Sequence, residues 1–171
     1  DAAEAELRAA RGIFIELGYE YNAARCTQRL GEICLLRGED DQAIDHLTSA
    51  RDTFKRHGAL GDQLGAMQCT RMLGDVRRCQ GNYDSAETLL TAALEALTKL
   101  GSRSEVANCH RSFGRLYRDQ DRTREALASF ESARDIYEAL GWQAYVAYCN
   151  SRIRKLRNLH DLKFFTDGLR P

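Results

Sequence analysis

The chain has 171 residues and 25 basic against 25 acidic side chains, so its formal net charge is zero and there is no global pull toward nucleic acid or an anionic membrane. No run approaches the roughly 18 consecutive apolar residues of a membrane span, and no signal-peptide pattern opens the chain. The single proline is Pro171, so no helix interior is interrupted.

A period organises the elements. Cys26 to Gly58 returns as Cys69 to Gly101, shifted by 43, and as Cys109 to Gly141, shifted by a further 40. The copies share Cys26/Cys69/Cys109, Gly31/Gly74/Gly114, Ala43/Ala86/Ala126, Leu47/Leu90/Phe130, Ala50/Ala93/Ala133 and Phe54/Leu97/Tyr137. A repeat of this length predicts stacked helical units that bury their core between neighbours.

Taken in order, residues 1–17 match the second half of the period, Leu7, Ala10 and Phe14 aligning with Leu47, Ala50 and Phe54. This half-repeat is a lone helix of type B, ended by Gly18; the start at Asp1, without methionine, is expected of a fragment or processed chain. The first full repeat, 22–58, has helix A at 22–37, a turn at Gly38 and Glu39-Asp40-Asp41, and helix B at 40–57. The acidic residues suit the positive end of the helix dipole. The second repeat, 62–101, has helix A near 64–80, Gly81-Asn82 as its turn and helix B to Leu100; three extra residues near Ala59-Leu60-Gly61 are expected in the preceding loop. The third, 103–141, has helices near 104–119 and 122–140. A terminal helix, 142–160, keeps Cys149 and Ile153 but has Arg154 where glycine stood. The tail 161–171 is expected to be a cap folded back through Phe164 and Phe165 or a truncation scar. The expected fold is all-α: one α-solenoid array over 1–171, built of antiparallel pairs from about eight helices.

The six cysteines contain no CxxC, and four of them, Cys26, Cys69, Cys109 and Cys149, share one repeat position. A column of small apolar side chains between helices accounts for them better than disulfides or metal. Buried thiols and a reducing, cytoplasmic compartment are expected. His46, His57, His110 and His160 stand in different repeats with no ligand spacing, so no metal and no cofactor is expected. No nucleophile motif and no phosphate-binding GxxxxGK[ST] occurs, and the chain is expected to be non-catalytic.

Leu30-Gly31 followed by Ala43, Leu47 and Ala50 resembles the tetratricopeptide repeat at matching offsets. Across the chain the likeness is to arrays of the roughly 40-residue variety, with linkers Leu17-Gly18, His57-Gly58, Leu100-Gly101 and Leu140-Gly141 and without the consensus Trp and Pro, replaced by Thr27 and Lys55. Two runs, AMQCTRMLGDVRRCQGNYDSAE and ANCHRSFGRLYRDQDRTREALASFESARDIYEALG, are similar to the repeats that close fungal NLR-like signalling NTPases. The resemblance implies a tetratricopeptide superhelix whose A helices line a concave groove that binds extended or helical peptides.

At 100° per residue, Cys26, Leu30, Ile33 and Cys34 share one direction on the first A helix. Opposite them stand Arg25, Gln28 and Glu32 with Leu35 and Leu36. The repeat offsets carry that face to Gln68, Arg71, Asp75, Arg78 and Cys79, then to Asn108, Arg111, Arg115, Arg118 and Asp119, and finally to Tyr148, Ser151, Lys155 and Asn158. Charge segregates as well: the A segments 22–37, 62–80, 103–120 and 142–160 total +9 and the B segments 1–17, 39–57, 82–100 and 121–140 total −8. Guanidinium forks bind carboxylates bidentately, so an acidic peptide or protein partner is expected on this face. The bland alternative is that Asp75, Asp119 and neighbouring helices absorb the arginines as exposed ion pairs of little energy. Cys79, beside Arg77 and Arg78, is the one thiol on the face. Trp142 and Tyr145 are expected to pack between repeats. Self-assembly as a homodimer through end helices is an alternative function. RNA binding is a further one, weakened because Tyr148 is the lone aromatic of the face.

Overall fold

The computed structural model describes residues 2–57 and 60–167, the side chains at 57, 60, 61 and 159–167 excepted. Its described residues form eight helices and no strand: α1 (Ala2–Glu16), α2 (Glu20–Arg37), α3 (Asp40–His57), α4 (Leu60–Cys79), α5 (Tyr83–Lys99), α6 (Arg103–Asp119), α7 (Thr123–Ala139) and α8 (Gln143–Asp167). They fall into two compact units, Asp1–Gly101 and Ser102–Pro171. In the first, α1 packs on α2, α2 on α3, α3 on α4 and α4 on α5, and α2 also touches α4. In the second, α7 packs against both α6 and α8. Each unit is a stack of helix pairs of the α-solenoid kind, as the period predicts.

Short turns enforce the antiparallel pairing. Gly38, with φ 75°, closes α2 by giving its N–H to the carbonyls of Cys34 and Leu35. That left-handed backbone favours glycine. Asp121 takes the same repeat position before α7 with φ 58°, a conformation aspartate tolerates better than most side chains. The N-caps Tyr19, Asn82, Ser102 and Arg122 make no side-chain cap bond. Acids in the first turn, among them Glu20, Asp84, Glu105 and Glu125, complement the dipole instead.

The B helices supply the deepest layer. Ala43, Leu47, Ala50 and Phe54, then Ala86, Leu90, Ala93 and Leu97, then Ala126, Phe130, Ala133 and Tyr137 are all buried. Burying a large apolar side chain of this kind stabilises by about 1.5–3 kcal/mol. The cysteine column is buried as expected, and burial pushes the Cys69 thiol up to about 12. The repeated glycines mark close approach: a Cβ on Gly31 would stand 2.7 Å from Leu47 Cγ, and one on Gly114 would stand 2.8 Å from the Phe130 ring. At the consensus tryptophan position, Thr27 satisfies its hydroxyl on the Ala23 carbonyl at 2.9 Å, and Thr70 does the same on Ala66.

Two expectations are corrected. Leu60 and Gly61 belong to α4, not to a loop. Cys26, Cys109 and Cys149 stand six positions after the first residue of their helices and Cys69 stands nine, so the extra residues lengthen α4 at its N-terminus. Buried Asp62 lies in that first turn, where the dipole favours an acid, and Gly65 leaves room for the Phe54 ring. The tail is helical in its first part, because α8 runs through Asp167; Phe164 and Phe165 as a side-chain cap lie outside the described residues.

Candidate functional site

The A helices of the first unit are α2 and α4, and their polar face is largely closed by its own side chains. Arg25 Nη1 donates to Gln68 Oε1 at 3.1 Å, and Gln28 Nε2 donates to the same oxygen at 3.1 Å. Gln28 is 3% exposed. One turn on, Arg71 Nη1 pairs with Asp75 Oδ2 at 3.1 Å, and Arg78 Nε lies 3.9 Å from Asp75 Oδ1. Arg71 is 6% exposed and Asp75 3%. Asp75 therefore stands between two guanidiniums: the acid absorbs the arginines as the bland alternative has it, but as a buried group and not as an exposed pair. Glu32 is half-buried and accepts from Arg29 at 2.6 Å. The single-helix arithmetic put Gln28, Arg71 and Asp75 on an open face. The approach of α2 to α4 covers them instead.

In the second unit the same face is built from α6 and α8, and its chemistry differs. Arg111 and Arg115 stand one turn apart on α6; Tyr145, Tyr148 and Arg152 stand one turn apart on α8. The Arg111 guanidinium carbon lies 5.2 Å from the Tyr145 ring centre. Arg115 Nε donates to the Tyr148 hydroxyl at 3.0 Å, and its guanidinium carbon is 5.5 Å from that ring centre. Arg152 approaches the same ring to 4.9 Å. Cation–ring contacts of this kind contribute about 0.5–2 kcal/mol each, most where water is excluded. Burial alone would raise the Tyr148 phenol, but Arg115 and Arg152 outweigh it and hold it below its ordinary value. Among the described residues no carboxylate pairs with Arg111, Arg115 or Arg152.

The rest of the expected face separates. Arg118 is taken by Asp119 through two bonds of 2.9 and 2.7 Å. Asn108 accepts from the Tyr137 hydroxyl at 2.6 Å, which satisfies a polar atom at the edge of the core. Lys155 is exposed. Cys79 is exposed and receives Arg78 Nη2 at 3.2 Å. Trp142 stacks on Tyr137 at 6.0 Å and Tyr145 lies 4.9 Å from Tyr137, so both pack as expected; Tyr145 adds a second role under Arg111.

Arg152 was not on the expected face. The offset of 40 relates it to Ser112, which is fully buried, so periodicity assigns it to the interior. The spacing of Tyr148 and Arg152, four residues apart, is the signal that would have found it.

Away from this face, a cavity of about 390 Å³ opens among α3, α4 and α5, lined by Phe54, Ala66, Met67, Ala96 and Leu100 with Lys55, Gln63 and Lys99. Among the described residues no group of three potential metal ligands exists, and no helix is long and apolar enough to cross a membrane.

Residues 66–139 match the family model described as tetratricopeptide repeat. Among solved structures, the apo form of RapI superposes with a TM-score of 0.73 at 14% identity, over 96% of this chain and 46% of that one. The chain thus spans about half the length of that protein. A de novo designed helical repeat protein, DHR81, matches with a TM-score of 0.47 at 14% identity, over 92% of this chain and 88% of that one. No curated protein matches in sequence. At such identities the structural likeness speaks for the fold alone.

Proposed function

We propose that this chain, a tetratricopeptide repeat array, is a non-catalytic interaction module whose A helices hold an acidic peptide or an acidic partner surface. The observation that carries the reading is the set of arginines on α6 and α8 that rest on tyrosine rings without a carboxylate partner among the described residues. A guanidinium stacked on a ring keeps its N–H donors in its own plane, where a carboxylate can take two at once. Arg111, Arg115 and Arg152 are the principal contacts in this reading, with Lys155 and Tyr148 beside them. In this reading Arg25, Gln28, Gln68, Arg71, Asp75 and Arg78 keep the face of the first unit closed on itself, and Glu32, Asn108 and Arg118 hold the neighbours they already have. The likeness of two sequence runs to fungal NLR-like repeats supports a setting within a larger signalling or scaffold protein. The free cysteines support a reducing, cytoplasmic one.

The test is a titration with a glutamate-rich peptide across a salt series. Affinity should fall steeply from low to high salt, because exposed charges are screened beyond roughly 8–10 Å at physiological ionic strength. An affinity indifferent to salt contradicts the reading.

A second reading, assembly through the end helix α1, is favoured by the exposure of Ile13, Ile15 and Leu17, each more than half accessible. Ile13 and Leu17, four residues apart, lie on one side of the chain there and offer apolar surface to a partner helix. A strictly monomeric mass at high concentration removes it.

A further inference from the structure

The two units treat one repeat position in opposite ways. Glu32, Asp75, Arg115 and Lys155 are equivalent by the repeat offsets, so the A helices read acid, acid, base, base along the chain. Where Asp75 neutralises Arg71 and Arg78, the corresponding residue Arg115 adds a positive charge beside Arg111. Arg152 brings a third from α8. The nearby acids are engaged elsewhere: Asp119 with Arg118, Glu125 with Arg122, Glu131 with Arg157 and Asp135 with Arg134.

Three uncompensated guanidiniums are more than one carboxylate can satisfy. A carboxylate brings one charge and two acceptor oxygens; a phosphoryl group brings about −1.5 to −2 charges and three strong acceptor oxygens. Arg111, Arg115 and Arg152 are held by the Tyr145 and Tyr148 rings at 5.2, 5.5 and 4.9 Å, so little side-chain freedom is left to lose on binding. Arg111 Nε is buried without a hydrogen-bond partner, which indicates that ring contact, not a protein acceptor, sets its orientation. The Tyr148 oxygen already accepts from Arg115, leaving its own O–H free to donate.

We propose that the Tyr145–Tyr148 shelf of α6 and α8 recognises a phosphorylated side chain of the partner, whose phosphoryl oxygens take the N–H edges of Arg111, Arg115 and Arg152. This rests on the acidic-partner reading above and narrows it to a phosphopeptide.

The experiment compares, on the full chain at constant ionic strength, three five-residue peptides with flanking glutamates and a central phosphoserine, glutamate or serine. Trp142 is the sole tryptophan and its ring lies 5.5 Å from that of Tyr145, so its fluorescence reports on the shelf. The phosphoserine peptide should bind about tenfold more tightly than the glutamate peptide. Arg115→Gln and Arg152→Gln should each erase that preference, whereas Arg124→Gln on α7 should keep it; circular dichroism verifies that each variant folds. Equal affinity for phosphoserine and glutamate overturns the phosphoryl assignment while the acidic-partner reading stands. Binding of neither peptide overturns both. Tighter binding of a single-stranded oligouridine than of the phosphopeptide also overturns the proposal, in favour of RNA.

Discussion

The α2–α4 face and the α6–α8 face descend from one repeat pattern and end in different electrostatic states. In the first, Asp75 lies between Arg71 and Arg78, and Arg25 donates to the Gln68 amide oxygen, so the guanidiniums are met by acceptors of the protein itself. In the second, Arg115 occupies the position of Asp75 and the guanidiniums face tyrosines. A solenoid can therefore hold its packing constant while each repeat chooses whether its arginines serve the protein or remain open to a partner. The buried layer is common to both; the difference lies in a few side chains.

The largest expected effect comes from breaking the closed face. Asp75→Ala strands the buried Arg71 and should cost about 3–5 kcal/mol, the usual penalty for an orphaned buried charge; the denaturant midpoint measures it. Next, the glycine contact sharpens the comparison of the shared layer. Gly114→Ala drives a methyl against the rigid Phe130 ring and Gly31→Ala against the branched Leu47. Both overpack, by about 1–3 kcal/mol, and Gly114→Ala should be the costlier in thermal unfolding because a ring yields less than a leucine.

Arg115→Asp imports the arrangement of the first unit into the second. It should cost about 1 kcal/mol of stability, the size of the lost hydrogen bond to Tyr148, yet weaken acidic-peptide binding about tenfold or more. A large loss of stability with binding unchanged would invert the comparison. The thiols give a smaller contrast: one equivalent of a maleimide should react in the folded protein, at Cys79, and the buried five only on unfolding.

The smallest effect is alkaline. Tyr148 titrates below its ordinary value. Because a depressed acid favours the charged form in the fold, its stabilisation is present above the ordinary phenol pKa of about 10 and is lost as pH falls through the lowered value. Cys69 runs the other way: raised to about 12, it stabilises fully below the ordinary thiol value and loses that contribution as pH rises toward 12. Ultraviolet absorbance of tyrosinate should move up in Arg152→Gln and stay put in Arg124→Gln.

The helix pairs, the cysteine column and the repeated glycine positions were legible in the sequence because each depends on a short local pattern repeated at fixed offsets. Gln28, Arg71 and Asp75 were not legible as buried, because a helical wheel sees one helix and their burial comes from the next. Arg152 was hidden by the periodicity itself, which equates it with the interior Ser112. The lengthening of α4 was concealed by the loop-like look of Ala59-Leu60-Gly61, and Asp62, an acid in the first turn where the dipole favours it, was the signal of a helix start there.

That lengthening carries a consequence for how such arrays tolerate insertions. Three residues added ahead of Cys69 extend α4 by about 4.5 Å at 1.5 Å each and leave the phase of every later side chain untouched. The same three residues placed after Cys69 would turn the remaining helix by a net of about 60° at 100° per residue and move Leu73 and Val76 about 4.5 Å along the axis, out of register with the layer they pack against. The N-terminal edge of an A helix is thus a place where length can change in whole residues while the core keeps its register, so the spacing between repeats is free to vary where the spacing within them is not.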